Sequence, residues 1–230
     1  MTFEIGVLGG TFNPIHRGHL HIAKSVQSLF GLARVYFVVS SVPPHKRTGE
    51  LIHFSHRYAM TSLAVEKEIS FIPSMVEMEP ESSPYTIDTM DKLARLEPQN
   101  RLYFIAGGDS LPEVASWRES ERLLSEYNFI FVKRPGDEPI DAEKCLPIDA
   151  FRRTRDLSGL GRAPAKKKIA EEPKGENRIY IVDAKAPDIS STKIRALASA
   201  RGGDRAVRRM LSPAVRVYIR KLRLYGDTGK

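Results

Sequence analysis

The chain has 230 residues, and 41% of them are hydrophobic, which is enough to bury the core of a single domain. Its formal net charge of +8 indicates acidic partners, and its lone cysteine, Cys145, excludes an intrachain disulfide. No apolar run approaches the ~18 residues of a membrane span. The first residues lack a secretory pattern, so we expect a cytoplasmic protein with no membrane partner.

Short apolar segments alternate with helical patterns along the chain. Runs rich in β-branched and aromatic side chains predict six buried strands, at Phe3–Leu8, Val35–Val39, Ile69–Ile72, Leu102–Ala106, Phe129–Val132 and Ile179–Val182. Helical patterns lie between them, at His19–Phe30, His56–Lys67, Thr86–Leu96 and, as a pair, near Pro112–Ser125. This alternation predicts an α/β fold with a parallel sheet covered on both faces, whose ligands bind in the loops after the strands.

Two histidines three positions apart, His16 and His19, follow a glycine pair, Gly9 and Gly10, and precede a predicted helix. Glycines after a buried strand let the backbone approach a ligand closely. The positive end of the helix, its N–H groups, the histidines and Arg17 together favour an anion. The spacing matches neither a dinucleotide-binding G-x-G-x-x-G nor a Walker A loop.

Two other interpretations of the histidines remain open. An H-x-x-H pair can be half of a zinc site, although no Cys, Asp or Glu lies close in sequence to complete a tetrahedral set. One of the histidines could instead fill the core. Contact with a phosphate explains the pattern better than either.

Two further stretches are unusual in composition. Residues 156–178 are rich in Gly, Pro, Lys and Glu, and cannot bury enough apolar surface to offset their ordering entropy. We predict a mobile loop there, with a basic docking patch as the alternative. Basic residues also concentrate between Arg201 and Arg223, so a nucleic-acid-binding module is a rival interpretation, although we expect no nucleic-acid partner.

The histidine loop resembles a known signature. GGTFNPIHRGHL, at 9–20, is similar to the T/H-x-G-H motif of the nucleotidyltransferase superfamily. PPHK at 43–46, YTIDTM at 85–90, GGDSL at 107–111, KRPG at 133–136 and ISSTKIR at 189–195 follow in the order seen in bacterial nicotinate-nucleotide adenylyltransferases. The resemblance covers the length of the chain, and the ordered set of motifs is more specific than H-x-G-H alone.

The resemblance implies a Rossmann-like doubly wound parallel sheet with C-terminal helices, in a single domain spanning 1–230. It also implies adenylyl transfer from ATP to nicotinate mononucleotide (NaMN), giving deamido-NAD and pyrophosphate, with Mg²⁺ carried in on ATP and no dedicated metal site on the protein. The chain departs from the family pattern in having Asn13 where Asp is usual, and a flexible insertion at about 137–178. The oligomeric state is left open.

The resemblance further implies roles for individual residues. The catalytic set is His16, His19, Lys46 and Arg195. The ATP-binding set is Gly9, Gly10, Thr11, Phe12, His16, His19, Gly107, Asp109, Ser190, Ser191 and Thr192. The NaMN-binding set is Asn13, Lys46, Tyr85, Thr86, Trp117 and Arg134.

This chemistry suits the residue types. Both the nucleophile and the leaving group are charged phosphate oxygens, so the reaction needs positioning and charge neutralisation rather than a general base. The imidazoles would donate ring N–H groups to the α-phosphate, and N–H groups around Thr86 and Trp117 would hold the nicotinate carboxylate. Simpler structural roles stay open: Ser190–Thr192 as a helix cap, Trp117 as helix packing and Asp109 as a cap. A related transferase with another acceptor, nicotinamide mononucleotide, pantetheine phosphate or glycerol phosphate, is the enzymatic alternative.

Overall fold

The structure is a computed structural model, and it describes residues 1–41, 51–79, 83–137, 141–173, 175–199 and 203–226. Its centre is a seven-stranded sheet in which every neighbouring pair is parallel, in the order β3-β2-β1-β4-β5-β7-β6. The strands are β1 (Glu4–Gly10), β2 (Arg34–Val39), β3 (Phe71–Ser74), β4 (Arg101–Gly107), β5 (Asn128–Lys133), β6 (Thr154–Asp156) and β7 (Ile179–Asp183). The Rossmann-like parallel sheet predicted from the sequence is confirmed.

Helices cover both faces of this sheet. They are α1 (Arg17–Phe30), α2 (Phe54–Val65), α3 (Thr86–Leu96), α4 (Ser120–Glu126), α5 (Ala142–Cys145), α6 (Ile148–Arg152), α7 (Arg162–Glu171), α8 (Ser191–Ser199), α9 (Gly203–Val207) and α10 (Pro213–Lys221), with 3₁₀ helices at Val76–Met78 and Gly108–Ser116. Within the described ranges, no helix is long and apolar enough to cross a membrane.

Each face of the sheet has its own hydrophobic core. One core contains residues of α1, α2, α7, α8 and α10, among them Ile22, Met60 and Val215. The other contains residues of α3, α4, α6 and the 3₁₀ helix Gly108–Ser116, among them Ile87 and Val114. The helix after β1, α1, packs on one face of the sheet, and the 3₁₀ helix after β4 packs on the other. The two elements therefore diverge, and a crevice opens between them at the carboxyl edge.

Local sequence explains the helix that follows β1. In α1 the side chains of Ile22, Val26 and Phe30 recur at four-residue spacing and are buried in the first core. The helix ends where Gly31 takes a left-handed conformation, with φ of 68°, and donates its N–H to the carbonyl of Gln27.

The segment 156–178 corrects a sequence-based prediction. A loop was expected, but the segment contains α7, and it follows a strand, β6, that was not predicted. Ala165 and Leu157 are buried in the first core, and Arg155 of β6 forms an ion pair with Glu172 just after α7. Buried apolar contacts and ion pairs, among them those of Glu172 with Arg155 and Arg178, thus replace the large side chains whose absence suggested a loop. Whether the segment, or the wider region 137–178, is mobile stays a prediction.

Candidate active site

The predicted site residues gather at the carboxyl edge of the sheet. The loop 11–16 follows β1, Gly107 ends β4, Arg134 follows β5, and Ser190 precedes α8. This is the crevice that the strand order creates between β1 and β4. One member of both the catalytic and the NaMN-binding sets, Lys46, falls within 42–50 and so lies outside the described residues.

A tight turn leads from β1 to the histidines. A Cβ atom on Gly10 would lie 2.7 Å from the ring of Phe12, so no side chain fits at that position. Phe12 has a positive φ of 47° and is 2% exposed, with its ring against Phe37 and His19. The side chain of Phe12 therefore belongs to the core, and only its backbone is open to a ligand such as ATP.

The two imidazoles stack on each other. Their ring centroids are 3.7 Å apart with an interplanar angle of 20°, and the backbone N–H of His16 donates to Nδ1 of His19 at 3.2 Å. Since Nδ1 of His19 is an acceptor, the proton of the neutral ring is on Nε2. The turn thus fixes a tautomer of His19 whose Nε2–H can donate to an oxyanion.

His16 is buried between the turn and α1. It is 5% exposed, and burial, assisted by the charge of Arg134, lowers its pKa to about 4. Its Nδ1 is buried without a hydrogen-bond partner among the described residues. A Cβ on Gly18 would lie 3.0 Å from Cε1 and Nδ1 of His16, so the glycine of H-x-G-H is what admits this ring.

Two charged side chains face each other after β4 and β5. Nη2 of Arg134 lies 3.9 Å from Oδ1 of Asp109, and both side chains are partly exposed. Nη2 of Arg134 would also lie 3.2 Å from a Cβ on Gly107, so the guanidinium lies at the end of β4. Arg134 was predicted to bind NaMN, and its charge also helps to lower the pKa of His16.

Residues of the ISSTKIR segment hold the histidine loop by hydrogen bonds to its carbonyls. The hydroxyl of Ser191 donates to the carbonyl of Pro14 at 2.9 Å, and Nη1 of Arg195 donates to the carbonyl of Asn13 at 3.1 Å. The hydroxyl of Ser190 accepts from the N–H of Lys193 at 3.2 Å, which is the helix-cap role left open by the sequence.

Thr192 lies in the first turn of α8, where its hydroxyl accepts a hydrogen bond from Nη2 of Arg195 at 3.3 Å. Like the other side chains of this helix start, it already has a protein partner. In an α-helix the first N–H groups have no carbonyl partner within the helix. In α8 the N–H of Lys193 is bound by the Ser190 hydroxyl, and those of Ser191 and Thr192 can receive a phosphate.

Three residues predicted to bind nicotinate, Tyr85, Thr86 and Trp117, lie around the start of α3. Tyr85 precedes the helix, and the guanidinium of Arg118 lies 4.8 Å from the centre of the Tyr85 ring. Arg118 also lies 3.9 Å from Asp88 of α3, which brings its neighbour Trp117 to the same end of the helix as Thr86.

One hydrogen bond narrows the set of donors in the predicted pocket. N–H groups around Thr86 and Trp117 were expected to hold the nicotinate carboxylate, and the N–H of Trp117 itself donates to the carbonyl of Val114 at 3.1 Å, where it closes a 3₁₀ helix. The indole packs edge-to-face on Phe104, with centroids 6.0 Å apart. Thr86, the first residue of α3, carries an N–H group with no acceptor inside its own helix, so it remains the better donor for a carboxylate.

Sequence reasoning missed two residues that build the site. Arg57 of α2 is 1% exposed and donates to the carbonyls of Thr11 after β1 and Ser40 after β2. Tyr225 donates its hydroxyl to Asn13. Both act on the backbone or side chain of a loop that is distant in sequence, so no local pattern could have shown these contacts.

Three or more His, Cys, Asp or Glu side chains that could together hold a metal ion do not occur among the residues that the structure describes. The groups at the crevice include two stacked imidazoles, the guanidinium groups of Arg134 and Arg195 and the N-termini of α1 and α8. Such an arrangement is suited to phosphate groups that gain negative charge.

Comparisons with known proteins identify the family of this chain. A family model described as cytidylyltransferase-like matches residues 7–197. A protein of Pelobacter propionicus with the name "Probable nicotinate-nucleotide adenylyltransferase" is 36% identical over 224 residues, covering 97% of this chain and 99% of the relative. One of the same name from Citrifermentans bemidjiense is 37% identical over 233 residues, with the same two coverages. A solved structure of the Plasmodium falciparum nicotinic acid mononucleotide adenylyltransferase, complexed with NaAD, matches with a TM-score of 0.70 at 21% identity over 97% of each chain.

Proposed function

We infer the function of this chain from its family, because it belongs to the cytidylyltransferase-like family and, within it, to the nicotinate-nucleotide adenylyltransferases. It transfers the adenylyl group of ATP to nicotinate mononucleotide and so makes deamido-NAD, a step of NAD biosynthesis. The geometric observation that best supports this is the stacked pair His16 and His19, held at the crevice beside the N-termini of α1 and α8.

The reaction is a displacement at the α-phosphorus of ATP. An oxygen of the NaMN phosphate forms a bond to Pα while the bond from Pα to the bridging oxygen of the β-phosphate breaks. Pyrophosphate leaves with that electron pair, and no proton has to move. The protein therefore has to align the two phosphates and to stabilise the charge that develops on the oxygens around Pα.

Different residues contact different phosphates of ATP. Nε2–H of His19 donates to an α-phosphate oxygen, and the N-terminus of α1 supplies further positive potential there. Arg134, whose charge also acts on His16, adds a cation for the phosphate groups. The N-terminus of α8, with Ser190, Ser191 and Thr192, receives the β- and γ-phosphates, while Arg195 holds the loop that carries the histidines.

The acceptor occupies the start of α3. The N–H of Thr86 and the positive end of the helix favour the nicotinate carboxylate, and the indole of Trp117 offers a plane for the pyridine ring. Lys46 and Asn13 complete the predicted contacts. For Asn13 the contact would be made by its amide nitrogen, Nδ2, since its Oδ1 already accepts from Tyr225.

Mg²⁺ would enter bound to the phosphates of ATP rather than to the protein. Mg²⁺ commonly keeps its waters and binds substrate phosphates, and the described side chains include no cluster that would hold it. When bound, it would neutralise part of the triphosphate charge.

A pyrophosphate-release assay with a panel of acceptors tests the function. We expect ATP-dependent release with NaMN, and mass spectrometry should show deamido-NAD. His19→Ala should lower turnover by at least ~10²-fold, the usual cost of losing one transition-state donor. Release with pantetheine phosphate or nicotinamide mononucleotide and not with NaMN would contradict the proposal, as would salt-sensitive binding of DNA or RNA without consumption of ATP.

A further inference from the structure

Arg57 is a buried cation that binds backbone carbonyl groups. It lies in α2, is 1% exposed, and every hydrogen bond that its guanidinium donates within the described part of the chain ends on a main-chain oxygen. Nη1 donates to the carbonyls of Thr11 at 2.9 Å and Ser40 at 2.6 Å, Nη2 to that of Ser41 at 2.9 Å, and Nε to that of Ile52 at 3.2 Å. Burying a guanidinium costs free energy, and the hydrogen bonds to these four carbonyls offset that cost.

These four carbonyls belong to three separate segments of the chain, after β1, after β2 and before α2. Thr11 is in the loop after β1 that leads to His16 and His19, whereas Ser40 and Ser41 follow β2. The N–H of Ser40 also donates to the carbonyl of Gly10 at 2.9 Å. Arg57 therefore ties the histidine loop to the end of the neighbouring strand, at the point where the regular ladder of the sheet stops.

A second set of contacts extends this connection to the acceptor side. The N–H of Ser41 donates to Oε2 of Glu77 at 3.0 Å, and Oε1 of Glu77 accepts from the hydroxyl of Thr89 at 3.1 Å. Thr89 is buried in α3, and its N–H donates to the carbonyl of Tyr85 at the start of that helix. A continuous path of hydrogen bonds thus runs from Thr11 through Arg57, Ser41 and Glu77 to the N-terminus of α3.

We propose that Arg57, acting through the Ser41–Glu77–Thr89 contacts, is a positioning residue that sets the distance between the two substrates. This inference rests on the proposed function, since it takes the histidine loop as the ATP side and the start of α3 as the acceptor side. In-line displacement requires the acceptor phosphate and Pα to be aligned, and an error of about 1 Å can cost ~10²-fold in rate. A rigid connection between the two binding elements meets that requirement.

The proposal predicts a specific kinetic pattern. Each substrate binds mainly to its own element, so loss of the connection should leave the KM values nearly unchanged and lower kcat. We expect Arg57→Met to lower kcat by about 10²-fold, with each KM within about threefold of the wild-type value. Arg57→Lys keeps the charge but not the planar fork, and should lower kcat by about tenfold. Thr89→Val removes one hydroxyl at constant shape and should lower kcat severalfold.

Arg153 provides a matched control. It too donates to backbone carbonyls, those of Asp149, Leu124 and Asn177, but it lies near the amino ends of the strands, away from the crevice. Arg153→Met should lower the thermal midpoint as Arg57→Met does, yet leave kcat unchanged. If both variants change only stability, or if Arg57→Met retains kcat within threefold, the positioning role is wrong.

Hydrogen exchange separates this inference from the proposed function. In Arg57→Met, or in Arg57→Lys if the methionine variant does not fold, the N–H groups of Ser40 and Ser41 should exchange at least ~10-fold faster, with no such change in Arg153→Met. Unchanged exchange at those positions would overturn the role of Arg57 even in an active enzyme. Accelerated exchange in a protein that makes no deamido-NAD would instead contradict the proposed function and leave the structural connection standing.

Discussion

The hydroxyl of Tyr225 donates to Oδ1 of Asn13 at 2.8 Å, across 212 positions of sequence. Asn13 is 3% exposed and precedes the two histidines, and Arg195 holds its carbonyl from the other side. Burial raises the pKa of the Tyr225 phenol, so the group stays a neutral donor at physiological pH. The C-terminal residues thus help to hold the loop on which the site depends.

Tyr225→Phe should therefore weaken both stability and turnover. Removing one hydrogen bond to a buried acceptor costs about 1 kcal/mol, which urea unfolding would measure. We expect kcat to fall severalfold, because the loop loses one of its supports. Asn13→Asp keeps an oxygen acceptor for the phenol and should retain most of the activity. Unchanged stability and turnover in Tyr225→Phe would show that the contact has no structural importance.

Gly18→Ala tests the packing of the stacked histidines. The new Cβ would lie 3.0 Å from Nδ1 and Cε1 of His16, so the ring has to move by a few tenths of an ångström, and His19 stacks on that ring. We expect kcat to fall about tenfold while the thermal midpoint changes little, since alanine favours a helix. Gly31→Ala is not a suitable control because Gly31 has a positive φ of 68°. Ala23→Gly, in the same helix but away from the crevice, should instead lower stability and spare kcat.

The regular core was predictable from sequence because its signals are local. Runs such as Val35–Val39 and Leu102–Ala106 carry the pattern of a buried strand within a few residues, and all six predicted strands overlap observed ones. β6 has the sequence Thr-Arg-Asp and pairs with β7 along one edge alone, so nothing in its three residues distinguishes it from a loop. Tertiary context alone makes it a strand.

Only those site residues that belong to motifs could be predicted from the sequence. His16 and His19 are readable in sequence, but the tautomer of His19 depends on a backbone N–H, and that geometry has no sequence signal. Arg57 illustrates the same limit, because an arginine in a helix is usually a surface residue and its partners here are carbonyl groups. Backbone atoms are identical at every position, so contacts made through them need a structure.

The lowered pKa of His16 makes stability depend on pH. Burial, assisted by Arg134, lowers the pKa of His16 to about 4, whereas in the unfolded chain it is about 6.5. As pH falls through this window the unfolded chain binds a proton that the folded chain does not, so the free energy of unfolding decreases. Between pH 7 and pH 4.5, wild type should lose about 2 kcal/mol more than His16→Gln in urea titrations. Equal losses would show that His16 titrates normally in the fold.

The helix α7 should open locally before the rest of the molecule unfolds. Ala165 is its one buried residue among the described positions, and Lys166–Lys168 are exposed. Few buried contacts give a low free energy of local opening, so brief trypsin treatment should cut first at these lysines and leave folded fragments. Ala165→Glu should accelerate that cut at least ~10-fold, whereas Ala163→Glu, exposed in the same helix, should not. Early cleavage elsewhere with α7 protected would show that the segment is firmly docked.

The acceptor pocket should prefer an acid to an amide. The nicotinate carboxylate offers two acceptor oxygens to the N–H of Thr86 and the positive end of α3, whereas nicotinamide would present an N–H₂ group to one of those donors. Leaving a buried donor unpaired costs about 1–3 kcal/mol, and 1.4 kcal/mol corresponds to a factor of ten. We therefore expect kcat/KM for nicotinate mononucleotide to exceed that for nicotinamide mononucleotide by at least ~10-fold in matched steady-state assays.

Substitutions of Trp117 distinguish stacking on the pyridine ring from recognition of its carboxylate. The N–H of Trp117 is already bound to Val114, so its indole is what remains to contact the pyridine ring. Trp117→Ala should raise the KM of both acceptors, leave that of ATP nearly unchanged and preserve the acid-to-amide ratio, and Trp117→Phe should restore part of the affinity. A collapse of the ratio in Trp117→Ala would mean that the tryptophan backbone reads the carboxylate after its bond to Val114 breaks. Equal efficiency with both acceptors in wild type would place the selectivity outside α3 and make the enzyme dual-specific.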